Sequence, residues 1–192
     1  MFRDATGPLY DLMKEIGRDM RDCGQGTPLE HLLRHTALDE RWLIVHLNEL
    51  TESDFDLLAG ATKKFHVAHC PRSHSYFEHS PFPFQRLDAL GFNICLGTDS
   101  LASNDDLSLF AEMGELQLNE PTLAPEKILE MVTVNPARAL DRQSSLGRIK
   151  RGFPANMIAL PFEGKGDPFE EIITFRKAVP WSMVDGHVRV AE

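Results

Sequence analysis

Three residues able to share one reaction end three apolar runs. His46 follows Trp42-Leu43-Ile44-Val45, His69 follows Phe65-His66-Val67-Ala68, and Asp99 follows Phe92-Asn93-Ile94-Cys95-Leu96-Gly97-Thr98. Imidazole and carboxylate together suit zinc or iron(II), and either metal lowers the pKa of a bound water until it is a nucleophile near neutral pH. A lone Asp after a strand ordinarily closes a turn or caps a helix, and a lone His is ordinarily a core residue held by a backbone carbonyl. Three such residues at three successive strand ends point instead to a common site.

The elements that must position them follow from the hydrophobic rhythm. Continuous apolar runs bounded by charges, such as Trp42 to Val45, are expected to be strands buried on both faces. Thr51-Glu52-Ser53-Asp54 opens a helix carrying Phe55, Leu58 and Ala61. Pro71 stops the second strand, and a loop is expected from Arg72 to Pro83 before a helix carrying Phe84, Leu87 and Leu90, closed by Gly91. After Asp99, small polar residues lead into a helix starting near Asp106, with Leu107, Phe110, Ala111 and Leu118 on it. Strands joined by right-handed helical crossovers run parallel, so His46, His69 and Asp99 leave the sheet at the same end.

Two helices precede these units. Leu9, Leu12, Met13 and Ile16 form one apolar face after Pro8, and Thr27-Pro28-Leu29-Glu30 has the spacing of a capping box. His31 and His35 lie four apart on the second helix, but Leu32 occupies the glutamate position of an HExxH zinc motif, and the pair reads as solvent-facing.

Composition narrows the function classes. The chain has 192 residues, 42% hydrophobic and 26% charged, enough for one sizeable core or a domain with an appendage. Its formal charge of -9, with no Lys/Arg-rich run, argues against nucleic acid or an acidic membrane surface as partner. Cys23, Cys70 and Cys95 include no CxxC pair and read as buried thiols of a reducing compartment. With neither signal-peptide pattern nor membrane-length apolar run, the expected location is the cytoplasm.

Several segments together resemble the amidohydrolase superfamily, in the branch of the chlorohydrolases and the guanine, cytosine, S-adenosylhomocysteine and aminofutalosine deaminases. They are His46-Leu47-Asn48-Glu49-Leu50-Thr51-Glu52, His69-Cys70-Pro71-Arg72-Ser73-His74, Leu96 to Asn104, Asn135-Pro136-Ala137-Arg138-Ala139-Leu140 within Pro125 to Leu140, Leu146 to Leu160, and Val184-Asp185-Gly186. The resemblance runs from about residue 7 to near the end. It implies an α/β fold: the last three strand-helix units of a metal-dependent (β/α)8 (TIM) barrel over residues 1-145, then strands of the small β-domain over 146-192, at about Asn156 to Leu160 and Ser182 to Val190. It further implies that Asp99 ligates a divalent metal, zinc or iron, and accepts a proton from the attacking water. His46 then lies beside that water as a catalytic residue and second metal ligand. His69 touches substrate at the mouth of its strand, while Ser100 and Asn104 shape the substrate-facing loop, with Ser103 and Asp106 as a capping box for the next helix.

The implied activity is metal-dependent hydrolysis of a carbon-nitrogen bond other than a peptide, most simply deamination of a heterocyclic or nucleoside-like small molecule. The family's HxH pair and HxxE motif, which supply most metal ligands and a proton-carrying glutamate, do not occur in this sequence, and Asn156 stands where aspartate is usual. The sequence is thus expected to begin just after the fifth barrel strand, as a carboxyl-terminal fragment. Two alternatives stay open: a catalytically silent fragment or pseudoenzyme, and one half of a split enzyme completed by a complementing amino-terminal chain. Open strand edges also make a homo-oligomer an expected partner state.

Overall fold

A computed structural model describes residues 1–190. Nine helices and six strands are found among these residues, the strands forming two three-stranded sheets. The first sheet is parallel, in the order β1 (Leu43–Val45), β2 (His66–His69), β3 (Asn93–Leu96). Leu43 pairs with His66, and His66 in turn with Asn93. Between β1 and β2 lies α3 (Glu52–Gly60), and between β2 and β3 lie α4 (Pro71–Tyr76) and α5 (Phe84–Ala89).

Local chemistry sets the helix starts. Thr27 opens α2 (Pro28–His35) and Thr51 opens α3, each with a reciprocal capping box, to Glu30 and Asp54 respectively. Asp54, almost fully buried, also accepts from the Thr27 hydroxyl, which ties the two helix starts together. Ahead of them, α1 (Pro8–Glu15) starts at Pro8 as expected and buries no residue. The core gathers around β2 and β3: Phe65, Val67, Leu87, Phe92 and Ile94 pack with Leu58 of α3, Leu116 of α6 (Leu109–Asn119) and Ile128 of α7 (Pro125–Glu130). Asn135 of α8 (Val134–Ala139) donates to the Ile94 carbonyl, while Asn93 donates to the Asn135 carbonyl and pairs with His66 Nδ1. That exchange docks α8 on β3.

The second sheet is antiparallel, with β4 (Met157–Ala159), β5 (Trp181–Val184) and β6 (His187–Val190) in order. The helix α9 (Pro168–Ile173) lies in the connection from β4 to β5.

Several expectations are corrected. The β1 strand is not buried on both faces, because among the described residues nothing pairs with its outer edge: Leu43 and Val45 are 40% and 50% exposed. Pro71 does not lead into a loop but occupies the first turn of α4, where its missing N–H costs nothing. The helix after Asp99 starts at Leu109 rather than near Asp106, capped by the Ser108 hydroxyl, and Ser103 is not part of a capping box. Ser182 to Val190 is a hairpin of two strands, turned at Asp185 and Gly186, and Pro125 to Leu140 holds two short helices. Among the described residues no helix is long and apolar enough to cross a membrane.

Candidate active site

The parallel register sets Leu96 beside His69 and Val45 beside Ala68, so His46, His69 and Leu96 come to one level at the carboxyl end of the sheet. His46 N–H donates to the Ala68 carbonyl and Gly97 N–H to the His69 carbonyl, both at 2.8 Å, so the ladder continues one residue past the strands. Glycine is suited to position 97, since a Cβ there would lie 3.3 Å from Cys70 Sγ. The chain then leaves the sheet in strained conformations. His46 has φ 68° and is the centre of a three-residue turn closed by Leu47 N–H on the Val45 carbonyl, and Asp99 has φ 56°. Left-handed backbone at two non-glycine residues is the kind of strain that clusters at functional sites.

These turns bring His46 Nε2 to 3.8 Å from Asp99 Oδ2. The same Oδ2 accepts the Ser73 hydroxyl at 2.7 Å and the Ser103 hydroxyl at 2.9 Å. These two bonds, Ser73 first, hold the Asp99 carboxyl below its usual range, with the nearby His46 adding to the effect. Asp99 is therefore ionised at neutral pH. Among the described residues no hydrogen bond engages its Oδ1.

His69 is different in kind. It is 2% exposed, stacks on Phe82 with ring centroids 3.8 Å apart, and leaves Nδ1 buried without a partner. Burial pushes its pKa down to about 3, so the ring is neutral. His74, edge-on to His69 at 5.2 Å, is held between the Asn48 side chain and the Ser80 carbonyl. Ser100 is exposed, and its hydroxyl accepts from Ala102 N–H. Asn104 turns inward, donating to the Thr98 carbonyl at 2.8 Å and to Glu112 at 2.5 Å. Asn104 borders, with Arg72, Ser75, Tyr76 and Ser103, a depression of about 290 Å³. A larger cavity, about 890 Å³, lies elsewhere, between α8 and the antiparallel sheet.

Sequence patterns did not single out Ser73 as a partner of Asp99, nor Glu112 at all. A serine in the first turn of α4 resembles any other serine, and only packing shows that it faces a carboxylate 26 positions later.

His46 and Asp99 offer one nitrogen and one carboxylate, whereas a catalytic zinc takes three protein ligands and keeps one open position. No group of three or more His, Cys, Asp or Glu side chains converges among the described residues. The donor set of this chain does not by itself fit the metal. His31 and His35 pack ring against ring at 4.9 Å on α2, and they too form no such group.

The fold and sequence are shared with known proteins. Residues 13–186 match the Amidohydrolase family. A 5-methylthioadenosine/S-adenosylhomocysteine deaminase of Pyrococcus furiosus is 35% identical over 160 residues, covering 80% of this chain and 37% of the relative. The protein of the same description from Saccharophagus degradans is 31% identical over 161 residues, covering 80% and 35%. This chain thus spans little more than a third of the length of these curated relatives. A zinc-bound adenosine deaminase from Xanthomonas campestris superposes with a TM-score of 0.74 at 24% identity, covering 98% of this chain and 44% of that one. With the family pattern matched across most of its length, this chain belongs to the amidohydrolase family.

Proposed function

We propose that this chain supplies the carboxyl-terminal share of the active site of a hydrolytic deaminase acting on a nucleoside-like small molecule. The observation that carries the proposal is the approach of His46 Nε2 to Asp99 Oδ2, 3.8 Å apart, although the two residues come from opposite edges of the parallel sheet. In this reading the sheet is strands six to eight of a (β/α)8 barrel, and residues 146-192 belong to the small β-domain. Support for the substrate class comes from relatives described as deaminases of 5-methylthioadenosine and S-adenosylhomocysteine.

The overall reaction exchanges an amino group for oxygen: water adds to the ring carbon, the carbon-nitrogen bond breaks, and ammonia leaves. Asp99, ionised and with Oδ1 free, takes the proton of the attacking water. The serines on Oδ2 keep that carboxylate facing the His46 imidazole, which orients the water and the departing group. His69, neutral, buried and stacked on Phe82, lies beneath the floor of the site, so a contact with substrate would require its ring to be uncovered, and Ser100 with Asn104 forms the loop beside it. A second acid-base group and the remaining donors for a divalent metal must come from outside this chain.

Ammonia release from 5′-methylthioadenosine, S-adenosylhomocysteine and 5′-deoxyadenosine tests the proposal. It is measured with this chain alone and with a polypeptide carrying the first five strand-helix units of a relative. Release is expected only from the mixture and only with zinc or iron(II) present. A mixture that forms a complex and stays equally active with Asp99→Asn would refute the assignment. The two-donor set also favours a second reading, a catalytically silent chain; in that case the complex forms and releases no ammonia from any of these substrates.

A further inference from the structure

Glu112 lies in the first turn of α6, and its side chain meets no solvent: the residue is 0% exposed. A carboxyl group in the core is costly unless its oxygens are filled. Here they are filled by two separate segments of the site. Oε2 accepts the backbone N–H of Arg72 at 3.0 Å, and Oε1 accepts the Asn104 side-chain amide at 2.5 Å.

The Arg72 N–H belongs to the first turn of α4, where helices leave donors unsatisfied. The residue preceding that helix, Cys70, makes no side-chain cap, so Glu112 provides the cap from 40 positions away. Asn104 at the same time bonds the Thr98 carbonyl at 2.8 Å, fixing both ends of the loop that contains Asp99. Ser73 and Ser103, whose hydroxyls grip Asp99, each follow or precede by one residue a group that Glu112 holds. Both serines are buried.

We propose that Glu112 is a positioning residue, a buried carboxylate that clamps the start of α4 to the Thr98-to-Asn104 loop so that Ser73 and Ser103 meet on Asp99. The role matters for catalysis through the reading of Asp99 as the reacting carboxylate, and it acts through the two serines without touching substrate. The chemistry calls for a carboxylate because both of its partners are donors. An amide of the same shape has one accepting oxygen and one NH2, and cannot accept from both.

Nuclear magnetic resonance of the full chain, labelled at the Asp side-chain carboxyls, tests this with no substrate, metal or second polypeptide. Glu112→Gln is expected to stay folded. Its Asp99 carboxyl signal should move toward that of a Ser73→Ala/Ser103→Ala variant, and exchange of the Arg72 amide proton should quicken about tenfold, as for one lost hydrogen bond. If Glu112 only fills the core, stability falls but the Asp99 carboxyl and the Ser73 and Ser103 amides keep their wild-type signals, and that result overturns the proposal. Should Glu112→Gln fail to fold, Asn104→Ala removes one arm alone. The Ser103 amide and Asp99 carboxyl must then shift while the Ser73 amide holds, and unshifted Ser103 and Asp99 signals overturn the clamp. Failure of the deaminase reading appears separately, as ammonia release that survives Asp99→Asn.

Discussion

The two sheets of this molecule treat the same kinds of side chain in opposite ways. In the parallel sheet all four residues of β2 are buried, and the core and the His46–Asp99 approach gather around it. In the antiparallel sheet the apolar residues Ile158, Val184 and Val188 stand half exposed, at 52%, 53% and 51%. A parallel sheet is covered on both faces by its own crossover helices, whereas an antiparallel one readily leaves a face open. Left-handed non-glycine backbone occurs beside both sheets, at His46 and Asp99 after the parallel strands and at Asp185 in the β5–β6 turn, so it does not separate them; what does is the convergence of polar side chains on Asp99. That convergence lies at the carboxyl end of the well-covered sheet, where parallel strands deliver their following residues side by side. The open sheet and the cavity beside it offer apolar surface without a comparable convergence of polar groups.

The largest contrast is expected in activity. In the complemented enzyme Asp99→Asn should lower ammonia release by about 10²- to 10⁴-fold, the range for a lost acid-base group. Asp185→Asn, in the β5–β6 turn, should leave the rate unchanged. Equal losses at the two positions would break the assignment of chemistry to one sheet. In stability, Phe65→Ala should cost about 3–5 kcal/mol in urea unfolding, because Phe65 is 2% exposed and packs its ring against Phe92 at 4.9 Å. Ile158→Thr in β4 should stay within about 0.5 kcal/mol.

The next effect is one of pH. The folded chain keeps His69 neutral down to about pH 3, whereas the unfolded chain takes up that proton near the ordinary value of 6.5. Between those values the unfolded state binds more protons, so stability is full above pH 6.5 and declines as the pH falls through the window. The slope from this one group is at most about 1.4 kcal/mol per pH unit. Burial lowers His66 and His74 in the same direction. Urea midpoints at pH 7, 5.5 and 4 should fall less steeply for His69→Phe than for the wild type; parallel lines would mean that the buried ring carries no such linkage.

The smallest expected effect concerns the one place where the parallel sheet resembles the open one. Among the described residues the outer edge of β1 has no neighbour, and Trp42, Leu43 and Val45 are exposed there. Such an edge invites pairing with another strand. Light scattering across a concentration series should show self-association of the wild-type chain, weakened by Val45→Lys. A monomer at every concentration would show that the edge is protected despite its exposure.

What the sequence determined by itself was local or topological. Capping boxes at Thr27 and Thr51 formed as their spacing required, because the partners lie three residues apart and no distant contact is needed. The polarity of the three strands was equally legible, since right-handed crossovers leave parallel strands no other arrangement. Tertiary structure decided the rest. Whether β1 is covered depends on what lies beside its edge, which an apolar run cannot reveal. Pro71 ends one element and begins another, and its sequence signal is the same for both. The grip of Ser73 on Asp99 and the cap that Glu112 places on α4 join residues 26 and 40 positions apart. Hydrogen bonds of that reach are set by how helices pack over the sheet, and no periodicity in the chain encodes them.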